Sequence, residues 1–264
     1  MKTIPVWLLF LSFAIVPGVH GESPSATDII QKSHLAFYYA GNDGKAKVLM
    51  KLINKSGGER KRELTMLRKN ESQGGNQKYY SYFHNPPDVR ATVFMVYKYP
   101  HKNDDRWLFV PALNLIQRIA AKDSRSSFVG SDFTYEDVSG RDLSSDTHKF
   151  LREELHQGRD CYVIESTPRG RADYVKKISW IDRSNYLPIK EDYYDTQGDL
   201  YRTFTADSIQ SIQGIPTVMK RTMKNLKSGH RTEVRFQTVE YNIGIDDDLF
   251  SERSLRRPPQ KWIQ

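Results

Sequence analysis

The sequence has very little cysteine: Cys161 is the single cysteine among its 264 residues. A lone thiol excludes an intramolecular disulfide and any Cys-x-x-Cys metal or redox motif. The residues around it, 161–164, are apolar or β-branched in the manner of a strand, which predicts a buried thiol that packs as a small apolar side chain. A redox function is therefore not expected.

Familiar catalytic motifs are also missing. The sequence contains neither a His-Glu-x-x-His zinc motif nor a Gly-x-Ser-x-Gly nucleophile elbow. Its histidines are scattered without the spacing of paired metal ligands. Asp132 and Glu136 have the spacing of an acid/base pair on one helical face, but charges that complement a helix N-terminus explain them more simply. We therefore expect a protein that is not an enzyme and that has no cofactor and no metal site.

No long block of one charge occurs, although the formal net charge is +8. Acidic and basic residues alternate instead, as in residues 59–63 and 152–154. This mixing is typical of solvated strand faces, whereas a nucleic-acid interface gathers Lys and Arg on one element. We expect no nucleic-acid partner, while a basic surface remains compatible with anionic lipid headgroups.

One long hydrophobic run is present, at residues 4–16. A lysine precedes it, a Pro-Gly pair follows it, and small residues come next, which together are typical of a signal peptide. The run is shorter than the roughly 20 residues of a membrane-spanning helix. We expect residues 1–21 to be cleaved near Gly21, leaving residues 22–264 as a single periplasmic domain. No lipid anchor is expected, because no cysteine lies near the cleavage point.

Most of the remaining chain has the pattern of strands separated by turns. A helix is predicted first, over residues 28–38 with Ser25 or Thr27 as its cap. Residues 46–52 then alternate between apolar positions and positions that face water, which indicates a strand with one solvated face. Further strands are predicted over residues 62–69, 78–83, 92–99, 107–110, 148–155, 160–167, 174–182, 188–194, 200–206, 217–224 and 232–241. This succession favours an antiparallel curved sheet or an incomplete barrel.

The middle of the chain differs from its surroundings. Residues 120–146 are rich in Ser, Asp and Gly, yet residues 128–138 include several large apolar side chains. A polar stretch with so many apolar residues predicts short helices or loops that fold back over the sheet.

Two of the predicted strands are apolar on both faces. Residues 93–97 and 107–110 lack the alternation of the first strand, so both of their faces must be covered. They can be central strands beneath packed helices, or one of their faces can line an apolar cavity that a lipid tail fills. Periodicity alone does not separate these explanations.

Five stretches of the chain resemble one known family, the outer-membrane lipoprotein-sorting proteins, which are the LolA-like periplasmic carriers. The stretches are residues 85–90, 107–113, 128–137, 186–190 and 244–251. The resemblance implies an α+β, mainly β fold: a strongly curved antiparallel sheet that forms an unclosed half barrel, capped by helices over an apolar cavity.

The resemblance also implies a function. It is that of a periplasmic carrier that binds a lipid, or the acyl chains of a lipoprotein, and helps to move it towards the outer membrane. The alternative is an envelope sensor or accessory binding module associated with an efflux-type transporter, with no transport of its own. The expected partners are a lipid or acylated lipoprotein, an inner-membrane efflux-type transporter and an outer-membrane acceptor. A shared fold does not choose between carrier and sensor.

Seven large side chains are the candidates for the cavity wall or its lid. They are Val93, Met95, Tyr97, Trp107, Phe109, Phe133 and Tyr135. Ordinary core packing is the competing explanation for each, because a large side chain in a strand is buried by default. Burial of about 16 methylenes would supply roughly 13 kcal/mol before the costs of association, so an acyl ligand needs few polar contacts.

Overall fold

The structure is a computed structural model that describes residues 24–170 and 172–264. The predicted signal peptide, residues 1–21, lies outside the described residues. Among the residues that are described, no helix has both the length and the apolar character needed to cross a bilayer.

The described part of the chain contains 13 strands in one sheet, and each strand pairs with its neighbours in antiparallel fashion. The strands are β1 (Asp43–Ile53), β2 (Glu59–Asn70), β3 (Gln77–Asn85), β4 (Val93–Lys98), β5 (Asp105–Val110), β6 (Leu115–Ile119), β7 (Asp146–His156), β8 (Arg159–Pro168), β9 (Lys176–Asp182), β10 (Pro188–Tyr194), β11 (Leu200–Ile212), β12 (Ile215–Asn225) and β13 (Arg231–Tyr241).

The order of the strands explains why the sheet is an open one. It runs β6-β5-β4-β3-β2-β1-β13-β12-β11-β10-β9-β8-β7, so the first and last strands pair in the middle and β6 and β7 lie at the two edges. Within the described residues the edges do not pair with each other, and the curved sheet remains an unclosed barrel. The predicted fold class is confirmed.

Helices occupy the ends and the middle of the described chain. They are α1 (Ala26–Tyr38), α2 (Tyr135–Ser139), α3 (Glu252–Arg256) and α4 (Gln260–Ile263). The predicted opening helix is confirmed as α1, and its cap is Ser25, whose hydroxyl accepts a hydrogen bond from the backbone N–H of Asp28 at 3.1 Å.

The predicted strands are confirmed, with boundaries that move by a few residues. The sequence prediction missed β6, a five-residue strand whose side chains are mostly exposed and lack apolar alternation. The strand nevertheless forms because it pairs along β5, from Val110 opposite Leu115 to Arg106 opposite Ile119.

The concave side of the sheet, here called the inner face, carries the main core. Residues 120–145, the central segment, join β6 to β7 and fold onto this face, as predicted. The core includes Val48, Leu64, Phe83, Phe94, Phe128, Phe133, Tyr135, Val138, Phe204, Met223 and Val234.

The opposite side of β2 to β5, here called the outer face, carries a second core. Residues 243–264, the C-terminal tail, cover it with α3 and α4. The buried members of this core are Leu67, Tyr80, Val93, Met95, Phe109, Ile245, Leu249, Phe250, Leu255, Trp262 and Ile263. Strand β4 therefore separates two cores, because successive side chains of a strand point to opposite faces.

Candidate functional site

A cavity of about 140 Å³ lies between helix α1 and the inner face at β1, β2, β12 and β13, and it is open to solvent. We call it the helix cavity. Its wall is mainly apolar and includes Phe37, Met66, Val138, Val218, Phe236 and Val239. Phe37, Met66, Phe236 and Val239 are only partly buried, although they pack against the inner core. These side chains offer apolar surface that the protein itself does not cover completely.

Helix α1 covers this cavity and is held at both ends. Near its start, Ile29 and Ile30 are buried in a small cluster with side chains of β8 and β9. At its end, the Arg68 guanidinium donates hydrogen bonds to the carbonyl oxygens of Tyr38 and Ala40. The side-chain amide of Gln77 donates to the Tyr38 carbonyl at 2.8 Å. These donors satisfy carbonyl groups that a helix C-terminus leaves without intrahelical partners.

A second cavity, of about 100 Å³, lies on the other side of α1, between the central segment and strands β8 to β12. We call it the polar cavity. Ionic pairs line it: the Lys177 ammonium lies 2.7 Å from Glu191, and the Arg202 guanidinium lies 2.9 Å from Asp137. Arg141 adds pairs with Glu136 and Asp146. Charged groups removed from water are tolerated here because each of these pairs places an opposite charge within contact distance.

The ionisation states in the polar cavity follow from burial and from these pairs. Burial raises the pKa of Glu191, but the Lys177 ammonium and hydrogen bonds from Tyr193 and Ser179 outweigh it and hold the pKa below its usual value. Burial, together with the charges of Lys98 and Lys177, lowers the pKa of His34 to about 3. At neutral pH the carboxylate is charged and the imidazole is neutral.

The central segment packs by its aromatic rings and is fastened to β13 by polar groups. Phe128 and Tyr135 lie 5.3 Å and 5.0 Å from the Phe94 ring, measured between ring centroids. The backbone N–H of Asp132 donates to the Thr232 hydroxyl at 2.9 Å, and that hydroxyl donates to the Asp132 carboxylate at 2.7 Å. The segment is thus held as a second cover, beside α1.

The two covers contact each other at Gly140. This residue has a φ of 84°, and a Cβ there would lie 3.1 Å from the His34 ring and 3.3 Å from the Tyr38 ring. Glycine meets both demands, since it accepts a positive φ and leaves room for the helix. A displacement of the central segment would therefore change the packing of α1.

Arg221, on β12, lines both the helix cavity and the polar cavity. Its Cζ atom lies 5.6 Å, 5.3 Å and 5.1 Å from the ring centroids of Phe37, Phe133 and Phe236. Its Nε is completely buried and has no hydrogen-bond partner within residues 24–170 and 172–264. Burial lowers the pKa of this guanidinium below its usual value, against the influence of Tyr38 and Asp137. Arginine nevertheless stays protonated in proteins.

The structure divides the seven predicted site residues between the two faces. Phe133 and Tyr135 belong to the inner core, and Phe133 also lines the polar cavity. The other five lie on the outer face: Val93, Met95 and Phe109 are buried beneath the C-terminal tail, and Tyr97 and Trp107 pack at its edge. None of these five lines the helix cavity or the polar cavity, so they do not share a cavity with Phe133.

The wall of the helix cavity was not identified from the sequence. Met66, Phe236 and Val239 occupy alternating strand positions that do not differ from those of ordinary core residues. A usable signal was Arg221, which is a charge at an inward position of β12 between the apolar residues Met219 and Met223.

The described residues contain no group of three or more His, Cys, Asp or Glu side chains that could hold a metal ion. Cys161 is buried, and burial raises its pKa to about 11, which disfavours the reactive thiolate. Asp132 precedes α2 and is bonded to Thr232, while Glu136 lies within α2 and pairs with Arg141. The predicted shared helical face of these two carboxylates is therefore wrong, because α2 begins at Tyr135.

Comparison with known proteins gives a family and a fold. A family model for uncharacterised proteins matches residues 75–257. No curated protein matches the sequence. A DUF1329 family protein from Desulfovibrio piger has a similar crystal structure, with a TM-score of 0.80 and 24% identity over 87% of this chain and 97% of that chain.

Two further crystal structures are similar. An outer membrane lipoprotein-sorting protein domain, so named, from Vibrio parahaemolyticus is 28% identical, with a TM-score of 0.80 over 88% of this chain and 98% of that one. A LolA superfamily protein from Nitrosomonas europaea is 20% identical, with a TM-score of 0.69 over 88% of this chain and 99% of that one. The expected resemblance to this fold family is confirmed.

Proposed function

Because the chain belongs to the DUF1329 family of uncharacterised proteins and has a LolA-type open barrel, we propose that it is an exported, non-enzymatic carrier. It binds a lipid, or the acyl chains of a lipoprotein, on the inner face of the sheet. The helix cavity is the observation on which the proposal rests, since its wall is mainly apolar, it is open to solvent, and α1 covers it together with Val138 of the central segment.

The size of the helix cavity determines how such a ligand can enter. Its volume of about 140 Å³ is close to that of an engineered cavity of about 150 Å³ that admits a benzene ring. Pockets for larger ligands have about 300–1,000 Å³. A chain of about 16 methylenes therefore fits only after α1 or the central segment moves away from the sheet. Roughly 13 kcal/mol of gross burial energy is available to offset that movement.

The structural relatives support a binding function in the cell envelope. The Vibrio protein is named for lipoprotein sorting and is similar over 88% of this chain. The hydrophobic run at residues 4–16, with small residues after it, has the plan of a leader for export to the periplasm. The corresponding partners are an acylated protein, an inner-membrane transporter that delivers it and an outer-membrane acceptor that receives it.

Lipid content tests the proposal directly. The protein would be purified from a bacterial periplasm, its organic extract analysed by mass spectrometry, and its binding of a fluorescent fatty acid measured by titration. We expect a copurified lipid and saturable binding. A lipid-free protein that also fails to bind the fluorescent fatty acid would contradict the proposal.

A pair of matched substitutions locates the binding site. Val239→Trp places a bulky ring in the helix cavity and is expected to weaken fatty-acid binding at least tenfold, because the ring occupies the space of several methylenes. Val175→Trp makes the same change at an exposed valine and should leave the affinity unchanged. Equal affinities for both variants would show that the ligand binds elsewhere.

Transfer separates a carrier from a sensor. A carrier loaded with fluorescent fatty acid should deliver it to lipid vesicles at a rate that increases with vesicle concentration. A sensor that stays with a transporter would retain the ligand, and retention would therefore favour the accessory module over the carrier.

A further inference from the structure

Arg221 differs from the paired cations that line the polar cavity. Arg202 pairs with Asp137 at 2.9 Å, and Lys177 pairs with Glu191 at 2.7 Å. For Arg221, no hydrogen bond and no ion pair is found to any residue that the structure describes. Its buried Nε is left without an acceptor, and its neighbours are three aromatic rings. The rings favour the cation through their π faces, but they accept no strong hydrogen bond from the N–H groups.

An unpaired guanidinium in such a place is costly. Removal from water destabilises a charge unless a counter-charge or good acceptors replace the lost hydration. The position also directs the charge towards a ligand, since Arg221 lines the helix cavity and the polar cavity at the same time. A bound anion would supply the acceptors that the protein does not supply.

The ligand that fits this arrangement has a small anionic head and an apolar body. A guanidinium matches a carboxylate with two parallel N–H···O bonds. The wall around it, with Phe37, Phe236 and Val239, matches an alkyl chain. A carboxylate also requires less displacement of the covers than a bulky glycerophosphate head does, because the two cavities hold only about 100 and 140 Å³ before they open.

We propose that Arg221 binds the carboxylate of a free fatty acid whose alkyl chain lies in the helix cavity. This inference rests on the proposed lipid-binding function and narrows the ligand to a single-chain carboxylic acid. Acyl chains that are linked through an ester or an amide lack the charge, and the site discriminates against them.

The test compares two ligands of equal chain length by isothermal titration calorimetry of the full mature protein. Dodecanoate carries the carboxylate, whereas 1-dodecanol does not. We expect dodecanoate to bind at least tenfold more tightly, as a hydrogen-bonded charge pair implies. Arg221→Met should abolish this preference, by weakening dodecanoate binding at least tenfold relative to dodecanol binding. Arg221→Lys keeps the positive charge but lacks the two parallel N–H donors of the guanidinium, and it should retain part of the preference.

The control is another buried arginine. Arg62 has an Nη1 atom without a hydrogen-bond partner among the described residues, but it does not line either cavity. Arg62→Met should therefore leave the preference intact. Thermal unfolding would establish that each variant is folded, and Arg221→Met is expected to keep its melting temperature because it removes an unpaired buried charge.

Each outcome has a distinct meaning. Equal binding of acid and alcohol by the wild type, or a preserved preference in Arg221→Met, overturns the role of Arg221 and leaves the lipid-binding function standing. Failure to bind either ligand counts against the lipid-binding function itself and against this inference with it. Dilauroyl phosphatidylglycerol that displaces dodecanoate efficiently would overturn the fatty-acid assignment in favour of a phosphate head. Should Arg221→Met not fold, an unchanged preference in folded Arg221→Lys overturns the inference as well.

Discussion

The two faces of strand β4 are equally apolar but differ in how they are covered. Val93 and Met95 face the C-terminal tail, while Phe94 and Val96 face the inner core. The tail seals the outer face with residues such as Leu255, which is 0% exposed. On the inner face, α1 and the central segment leave cavities between themselves and the sheet. An apolar strand therefore indicates that both of its faces are covered. The element that covers each face determines whether space for a ligand remains.

The two faces also differ in how their buried polar groups are hydrogen-bonded. On the outer face, the Tyr80 hydroxyl donates to the Ser254 carbonyl at 2.7 Å, and the Lys69 ammonium donates to the Ile245 carbonyl at 2.8 Å. On the inner face, Arg221 has a buried N–H group that no described residue satisfies. These polar groups of the outer face thus find their hydrogen-bond partners within the protein. The inner face leaves a buried N–H group for a bound partner to satisfy.

The largest effect on this contrast is expected when an aromatic ring is removed from the C-terminal tail, which covers the outer face. Phe250, a residue of the C-terminal tail, is 2% exposed in the outer core, and Phe250→Ala should lower the free energy of unfolding by about 3–5 kcal/mol, because it leaves a cavity there. Urea denaturation measures the loss, and the folded variant should bind fatty acid as the wild type does. Leu113→Ala, at a side chain that is 71% exposed, is the control and should change stability by less than about 0.5 kcal/mol. Lost fatty-acid affinity in folded Phe250→Ala would mean that the outer face takes part in binding.

A smaller effect is expected where the central segment is fastened to the inner face. Thr232→Val removes the hydroxyl that accepts from the Asp132 N–H and donates to its carboxylate, and should cost about 2 kcal/mol. Hydrogen exchange at the Asp132 amide should accelerate, since the segment opens more often. Thr238→Val, at an exposed position of the same strand, is the control. Unchanged exchange at Asp132 would show that the contacts other than those of Thr232 are enough to hold the segment.

Acid should weaken the inner face through His34. Burial and the Lys98 and Lys177 charges lower its pKa in the folded protein to about 3, whereas the unfolded chain titrates near 6.5. The unfolded state therefore binds a proton that the folded state does not, and stability falls as the pH drops from 6.5 towards 3. Linkage gives a loss of roughly 1.5 kcal/mol between pH 6.5 and pH 5.

Denaturation at these two pH values measures the contribution of His34. His34→Asn should lose less stability on acidification than the wild type, by roughly that same 1.5 kcal/mol. His101→Asn, at an exposed histidine, should behave as the wild type does. Identical pH dependence in His34→Asn and the wild type would contradict the neutral, buried state of this imidazole.

Local patterns were enough to predict most of the fold. Helix α1 has its Ser25 cap, and residues 46–52 of strand β1 alternate in burial, so both could be predicted from neighbours in sequence. Strand β6 was missed because its formation depends on pairing with β5, and its five residues have no periodic apolar pattern. The open barrel came from the family resemblance rather than from periodicity.

What covers each face of the sheet was harder to predict than the strands, for a physical reason. Residues 93–96 are buried on both faces, whereas Trp107, Leu108 and Val110 are only partly buried. A strand pattern does not identify what covers each face. The cover of the outer face comes from residues 243–264, which lie far away in sequence. Phe133 and Tyr135 lie in the inner core because their segment, which is apolar within a polar stretch, folds onto the sheet.

The pairing of β1 with β13 has a consequence for folding kinetics. Gly44 lies opposite Tyr241, so the central hydrogen-bonded ladder joins residues nearly the whole described chain apart. Neighbouring hairpins such as β1–β2 can form as soon as they are synthesised, but this ladder waits until residue 241 has emerged and a very long loop has closed. Strands β1 to β6 and strands β7 to β13 should therefore form two half-sheets early. The pairing of β1 with β13, which joins the two half-sheets, should limit the rate of folding.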